Sequence, residues 1–319
     1  MTATFEIGLT PWRYDATVRA PQLAFQAVRA EALGFHSFWL PESHFAGPSS
    51  NPTPLLLLAA VAASTTRLKI ATTSYLLPVR NPIQVAEEVA VLDCLSNGRV
   101  ILGVGRGFRP ALFAAFDLPV SEKRDRFEAA LAVMRDAWEG KPVATEEGGG
   151  GVILSPLPVQ QPHPPIWSAA FGPKALAQAG RLGLPYLASP IEPFDRLISN
   201  YAAHREALAT CAGPVPSDVP VMRSVFAHPD AGARARVREG LEHQMSLIAR
   251  QARGIGRIAA SSVDEVALVG EPSWVADEIA RYREALGITH LIVRTQLPGA
   301  EEDEILASLA HVAALATAG

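Results

Sequence analysis

Short apolar runs alternate with amphipathic stretches along almost the whole chain, and this pattern predicts its elements. Phe5–Leu9, Phe35–Leu40, Leu68–Ser74, Val100–Val104, Ile166–Ala169, Pro185–Ser189, Val219–Ala227 and His290–Arg294 read as strands. Their near-continuous apolar character fits parallel strands covered on both faces. Between them Thr17–Leu33, Pro54–Ala63, Gln84–Leu95, Glu122–Glu139, Pro173–Leu182, Phe194–Thr210, Ala231–Ala252, Trp274–Leu286 and Glu301–Ala316 carry helical spacing. In Glu122–Glu139, for example, Phe127, Leu131, Met134 and Trp138 share one face. The alternation breaks over 141–165, where four glycines, 148–151, separate two short extended runs and predict a β-hairpin. Residues 253–271 lack a pattern and read as an irregular, mobile loop, and 106–121 read as loop. Eight strands alternating with helices, with no composition break, predict one domain over residues 1–319: an α/β, (β/α)₈ TIM barrel with a hairpin insertion before strand five.

Composition narrows the chemistry. The 319 residues are 49% hydrophobic and 19% charged, with net charge −4. There is no basic field for nucleic acid and no polybasic patch for a membrane surface. The two cysteines, Cys94 and Cys211, are too few and too far apart for a disulfide framework or a cysteine metal site. With no signal peptide or membrane-length apolar run in view, a cytoplasmic location is expected.

A parallel barrel presents its chemistry at the C-terminal ends of its strands. The residues there are Thr10, Trp12 and Arg13; Glu42, Ser43 and His44; Thr72, Thr73, Ser74 and Tyr75; Arg106, Phe108 and Arg109; Ala170, Phe171 and Gly172; Ser189; and Arg294. The run Gly103-Val-Gly-Arg-Gly107 is the most pointed. Glycines let a backbone approach a ligand, and an arginine fork suits a phosphate. A tight turn with a solvated arginine is the other reading of the same residues. Pro173 fits the first position of a helix, whose backbone N–H groups could hold an anion together with Arg106, or simply cap the helix. The glycine spacing is not the dinucleotide fingerprint. His44, two residues after Glu42, is a candidate acid–base residue or a surface histidine; no metal-ligand spacing accompanies it.

The order and spacing of several short motifs carry a resemblance. They are Phe38-Trp-Leu-Pro-Glu-Ser-His-Phe45, Leu77-Pro-Val-Arg-Asn-Pro82, Ala86-Glu-Glu-Val-Ala-Val-Leu-Asp93, Leu95-Ser-Asn-Gly-Arg99, Gly103-Val-Gly-Arg-Gly107, Gly172-Pro-Lys-Ala-Leu176, Gly183-Leu-Pro185 and Val269-Gly-Glu-Pro-Ser-Trp274. With these the chain resembles the bacterial luciferase-like family of flavin-dependent monooxygenases and oxidoreductases over nearly its whole length. The resemblance implies a barrel that binds reduced flavin at the strand ends. A non-prolyl cis peptide behind the flavin ring would match Thr73–Ser74. The phosphate-binding arginine would match Arg106, helped by Arg124, and the backbone of Ala170, Phe171 and Gly172 would supply further cofactor contacts, with Phe108 on the Arg106 loop.

One departure stands out. Luciferase-type members carry Glu-His-His-Phe after strand two, and this chain has Glu42-Ser43-His44-Phe45. Serine is no base near neutral pH but can hydrogen-bond, so His44 and Ser43 together are the catalytic candidates. The resemblance implies FMN, with the deazaflavin F420 as the alternative. It therefore implies a reduced-FMN and O₂-dependent monooxygenase acting on a small organic substrate. An F420-dependent dehydrogenase and a non-catalytic flavin-binding protein are the alternatives. It also implies a homodimer, and a separate flavin reductase as a possible partner.

Overall fold

A computed structural model describes residues 5–14, 20–251 and 262–317. In chain order the elements are β1 (Glu6–Leu9), α1 (Ala20–Ala32), β2 (Ser37–Leu40), α2 (Pro54–Ser64), β3 (Lys69–Thr72), β4 (Tyr75–Leu76), α3 (Pro82–Ser96), β5 (Val100–Gly105), α4 (Pro110–Ala115) and α5 (Lys123–Trp138). They continue with β6 (Ala144–Thr145), β7 (Gly151–Val152), β8 (Ile166–Ala169), α6 (Pro173–Arg181), β9 (Tyr186–Leu187), α7 (Phe194–Leu208), β10 (Pro220–Ala227), α8 (Ala231–Gln251), β11 (Ala267–Gly270), α9 (Pro272–Leu286), β12 (His290–Arg294) and α10 (Glu302–Thr317). The fold is α/β with parallel strand pairing. Among the described residues no helix is long and apolar enough to cross a membrane.

The chain groups into two compact units. The first comprises Met1–Tyr14, Arg29–Phe38 and Ala170–Gly319. In it β1 pairs with β12 and with the start of β2, and β12 pairs with β10, all in parallel. All eight residues of β10 are buried, and the strand is long enough to have two neighbours on one side. Its beginning bridges Ala188 through Val221, and its end, Ser224–Ala227, pairs with β11. The second unit comprises Asp15–Val28 and Trp39–Ala169. There β5 pairs in parallel with β3, β4 and β8. All six β5 residues are buried, as expected of a strand covered on both faces. The short β6 and β7 pair antiparallel on either side of the glycine run.

Two expectations need correction. The stretch read as irregular over 253–271 contains β11, a four-residue apolar run that takes its place by pairing with the end of β10. Residues 252–261 of that stretch lie outside the described residues. The 106–121 loop contains α4, which buries Leu112 and Phe113. Six residues are too few to establish a helical period, and Pro110 at its first turn was the available signal. Boundaries move for similar local reasons. The α3 helix starts at Pro82, two residues before its apolar period, because Asn81 Oδ1 caps Ile83 N and Gln84 N.

The Leu95–Arg99 motif proves structural. Arg99, buried at the start of β5, donates from Nη1 and Nη2 to Thr65 Oγ1 and to the Leu68, Ala62 and Thr65 carbonyls, and from Nε to Ser96 O. A cation at the C-terminus of α2 meets the negative end of that helix and satisfies its last carbonyls. Asp93 is likewise buried; it accepts from Gln160 N at 2.8 Å and Gln160 Nε2 at 2.7 Å. These bonds tie the proline-rich segment to α3.

Candidate functional site

In the second unit β3 ends at Thr72 and β4 begins at Tyr75, and both pair with β5. Between them the Thr73–Ser74 peptide is cis, in the place the family resemblance implies. The ladder is interrupted at this turn, and side chains and neighbouring backbone fill in. Thr72 Oγ1 donates to Gly103 O at 2.8 Å, and Thr73 N donates to Leu40 O at 2.8 Å. The spacing of the glycines now has a cause. A Cβ on Gly105 would collide with the Ser74 hydroxyl, so β5 needs glycine where it passes the turn. Gly107 has φ +69°, which lets the chain turn out of the strand.

Arg106 lies between those two glycines and is buried. Its Nη1 donates to Ala169 O at 2.9 Å, and its guanidinium sits 4.3 Å over the Phe127 ring. Burial, then the Arg124 charge, holds Arg106 down at about 10. Lys123 is pushed down by burial and by Arg124 and Arg106. Three cations therefore meet at the end of β5, two of them on the first turn of α5. That is the positive end of a helix, where acidic residues are the favoured type. Such an arrangement is poised for an anion, which would relieve both repulsions. Lys123 was missed in the sequence; the Lys123-Arg124 pair at a helix start was the signal that could have found it. Phe108, on the same loop, is 62% exposed, a large apolar ring facing solvent.

The second group of candidates follows β2. The Glu42 carboxylate is fully buried. Its Oε1 lies 2.7 Å from His44 Nε2 and 3.1 Å from an Arg80 Nη2, and its Oε2 accepts from Leu76 N at 3.1 Å. An ionised carboxylate only accepts, so His44 Nε2 carries the proton and a neutral ring keeps its Nδ1 lone pair. Phe116 meets the His44 ring edge-on at 5.5 Å. Arg80 stacks 4.0 Å over Tyr75, whose hydroxyl donates to Glu88 at 2.9 Å. Burial is the main cause that raises the Tyr75 phenol, keeping it a donor. Tyr75, Arg80, Glu88 and Phe116 also help line a cavity of about 240 Å³. Ser43, which stands where the family has histidine, braces the loop. Its hydroxyl accepts from Asn51 N at 3.0 Å, and its backbone exchanges hydrogen bonds with the same residue.

The remaining candidates belong to the first unit. Ala170 is buried and Phe171 is 42% exposed. Gly172 takes φ +76° and caps α6, with Pro173 in the first turn. At the end of β1, Thr10 and Thr295 hydrogen-bond each other, and Trp12 Nε1 donates to Glu302 at 3.2 Å. The structure thus brings together Arg106 with Arg124, Thr73–Ser74 with Gly105, and His44 with Glu42.

Comparison with known proteins finds related folds and sequences. The solved structure of monooxygenase RslO1 from Streptomyces bottropensis superposes with a TM-score of 0.80 at 25% identity, covering 97% of this chain and 98% of that one. F420-dependent glucose-6-phosphate dehydrogenase of Kineococcus radiotolerans is 28% identical over 89% of each chain. Uncharacterized protein y4wF of Sinorhizobium fredii is 33% identical over 53% of this chain and 51% of that protein. The chain thus spans about half the length of the curated relatives it matches in that way. The profile of luciferase-like monooxygenases matches residues 7–290. With a match of that extent, this chain belongs to the luciferase-like monooxygenase family.

Proposed function

We propose that this chain is a monooxygenase that uses reduced FMN and O₂ on a small organic substrate. The observation that carries this reading is the cationic group at the end of β5, where Lys123 and Arg124 open α5 beside the buried Arg106, and burial with these neighbouring charges pushes Arg106 and Lys123 down. A flavin phosphate supplies the anion such a group favours. Bound reduced flavin supplies the redox chemistry, and the protein positions it and manages protons. In this reading Arg106, Arg124 and Lys123 hold the phosphate. The Thr73–Ser74 turn and Phe108 border the ring. His44, held by Glu42, works as the acid–base residue through Nδ1, and Ser43 keeps its loop in place.

A second reading, an F420-dependent dehydrogenase, is favoured by the full-length similarity to the Kineococcus enzyme. F420 also carries a phosphate, so the cationic group fits either cofactor. Anaerobic titration with FMNH₂ and with F420H₂ separates them. FMNH₂ should bind tightly and consume oxygen once air is admitted, with reduced flavin resupplied by an added NADH-dependent flavin reductase. Tight F420H₂ binding with no FMNH₂ affinity would replace the first reading with the second.

The same reading includes a homodimer. The α2 helix is apolar on nearly all sides; it leaves Leu56 73% exposed, while α3 leaves Val91 43% and Leu95 63% exposed. Exposed apolar positions on neighbouring helices favour a partner surface. Sedimentation should give twice the chain mass of 34.0 kDa, and Leu56→Lys should shift the protein toward monomer. A wild-type monomer at micromolar concentration would remove this part of the proposal.

A further inference from the structure

We infer that Arg294 is the seat of a carboxylate on the substrate; this rests on the reading above that the chain acts on a small organic molecule. Two neighbouring strands of the first unit each carry a buried or half-buried arginine, and they are satisfied differently. Arg223 on β10 is fully buried and donates to four acceptors: Tyr282 Oη at 2.9 Å, Ser189 O at 2.9 Å, Met222 O at 2.9 Å and Glu192 O at 2.7 Å. It is a structural tie. Arg294, the last residue of β12, lies beside Ser224 in register. Its bonds are a long one to Ser224 Oγ at 3.4 Å and one to Gln244 Oε1 of α8 at 3.0 Å. Both acceptors are neutral, and among the described residues no carboxylate pairs with Arg294.

A guanidinium withdrawn from water with only two neutral acceptors is costly to keep unless an anion visits it. Burial pushes Arg294 down, in keeping with that cost. The position is the one a parallel α/β fold uses for ligands, the C-terminal end of a strand. Thr295 and Thr10 lock the continuations of β12 and β1 together, and Gln296 Nε2 donates to Tyr14 O at 3.0 Å. The Tyr14 phenol is pushed up to about 12 by burial, so it stays protonated and able to donate. The planar fork of Arg294 matches the two oxygens of a carboxylate, whereas a phosphate dianion would call for a second cation.

The test needs no flavin. The purified full chain is titrated calorimetrically with benzoate and hexanoate and with their uncharged amides, benzamide and hexanamide. At least one acid should bind tenfold or more tighter than its amide. Arg294→Met should abolish that preference, and Arg294→Lys should retain part of it. The melting temperature of Arg294→Met should not fall, since a poorly compensated cation is removed. No acid preferred over its amide, or a preference that survives in Arg294→Met, overturns the assignment. Loss of FMNH₂ binding in the wild type would instead strike the flavin reading and leave these titrations intact.

Discussion

Arg106→Ala should weaken binding of reduced FMN by about 1–3 kcal/mol, roughly 5- to 150-fold, the range for losing a charge-assisted hydrogen bond. Isothermal titration under anaerobic conditions reads it directly. Arg106 is buried, stacks on Phe127 and shares its surroundings with Lys123 and Arg124. Removing it lowers repulsion among the cations in the unliganded protein, which offsets the lost hydrogen bond to Ala169 O and the lost contact with Phe127. A loss of cofactor affinity without a large loss of stability marks a binding arginine. Arg99 provides the contrast within the same strand, because its donors close the end of α2. Its removal should cost stability first. Unchanged FMNH₂ affinity in Arg106→Ala would take Arg106 out of the site.

Glu42→Ala should destabilise the protein by about 3 kcal/mol, read as a lower urea midpoint at unchanged slope. The carboxylate is fully buried and serves His44, Arg80 and the Leu76 amide together. Deleting it takes the anionic partner from the Arg80 guanidinium, which keeps Pro52 O, and leaves the Leu76 N–H without its acceptor, and the second of these alone costs about 1–3 kcal/mol. Glu42→Gln should cost less, because an amide oxygen can still accept from Leu76 N. Both changes should lower turnover, since the proton on His44 Nε2 is fixed by the carboxylate opposite it. A loss under about 1 kcal/mol in Glu42→Ala would show that the three partners find other acceptors.

Much of the fold was legible because it rests on local signals. The β5 strand is an apolar run of the length a doubly covered strand needs, and α5 repeats apolar residues at helical spacing. The α4 helix was not legible, because six residues are too few to show a helical period, and β11 owes its place to pairing with the distant end of β10. In the site, Arg106 and the Thr73–Ser74 turn could be marked from their motifs. The Glu42–Arg80 pair could not, since nothing in a sequence relates residues that far apart. Ser43 changed meaning most. Read alone it was a weak substitute for a histidine; its hydroxyl in fact accepts from Asn51 N and shapes the loop that carries His44.

The sequence by itself determined the alternation of strands and helices, the family and the glycines around Arg106, because each depends on residue types at short spacing. The tertiary structure alone decided what those residues meet. Only there does Gly105 turn out to be required by the Ser74 side chain. Only there does Arg99 separate as a structural tie from Arg106, which gathers with Lys123 and Arg124. The physical reason is the same in both cases. Steric exclusion and charge coupling act through space over a few ångströms, between residues that the chain places tens of positions apart.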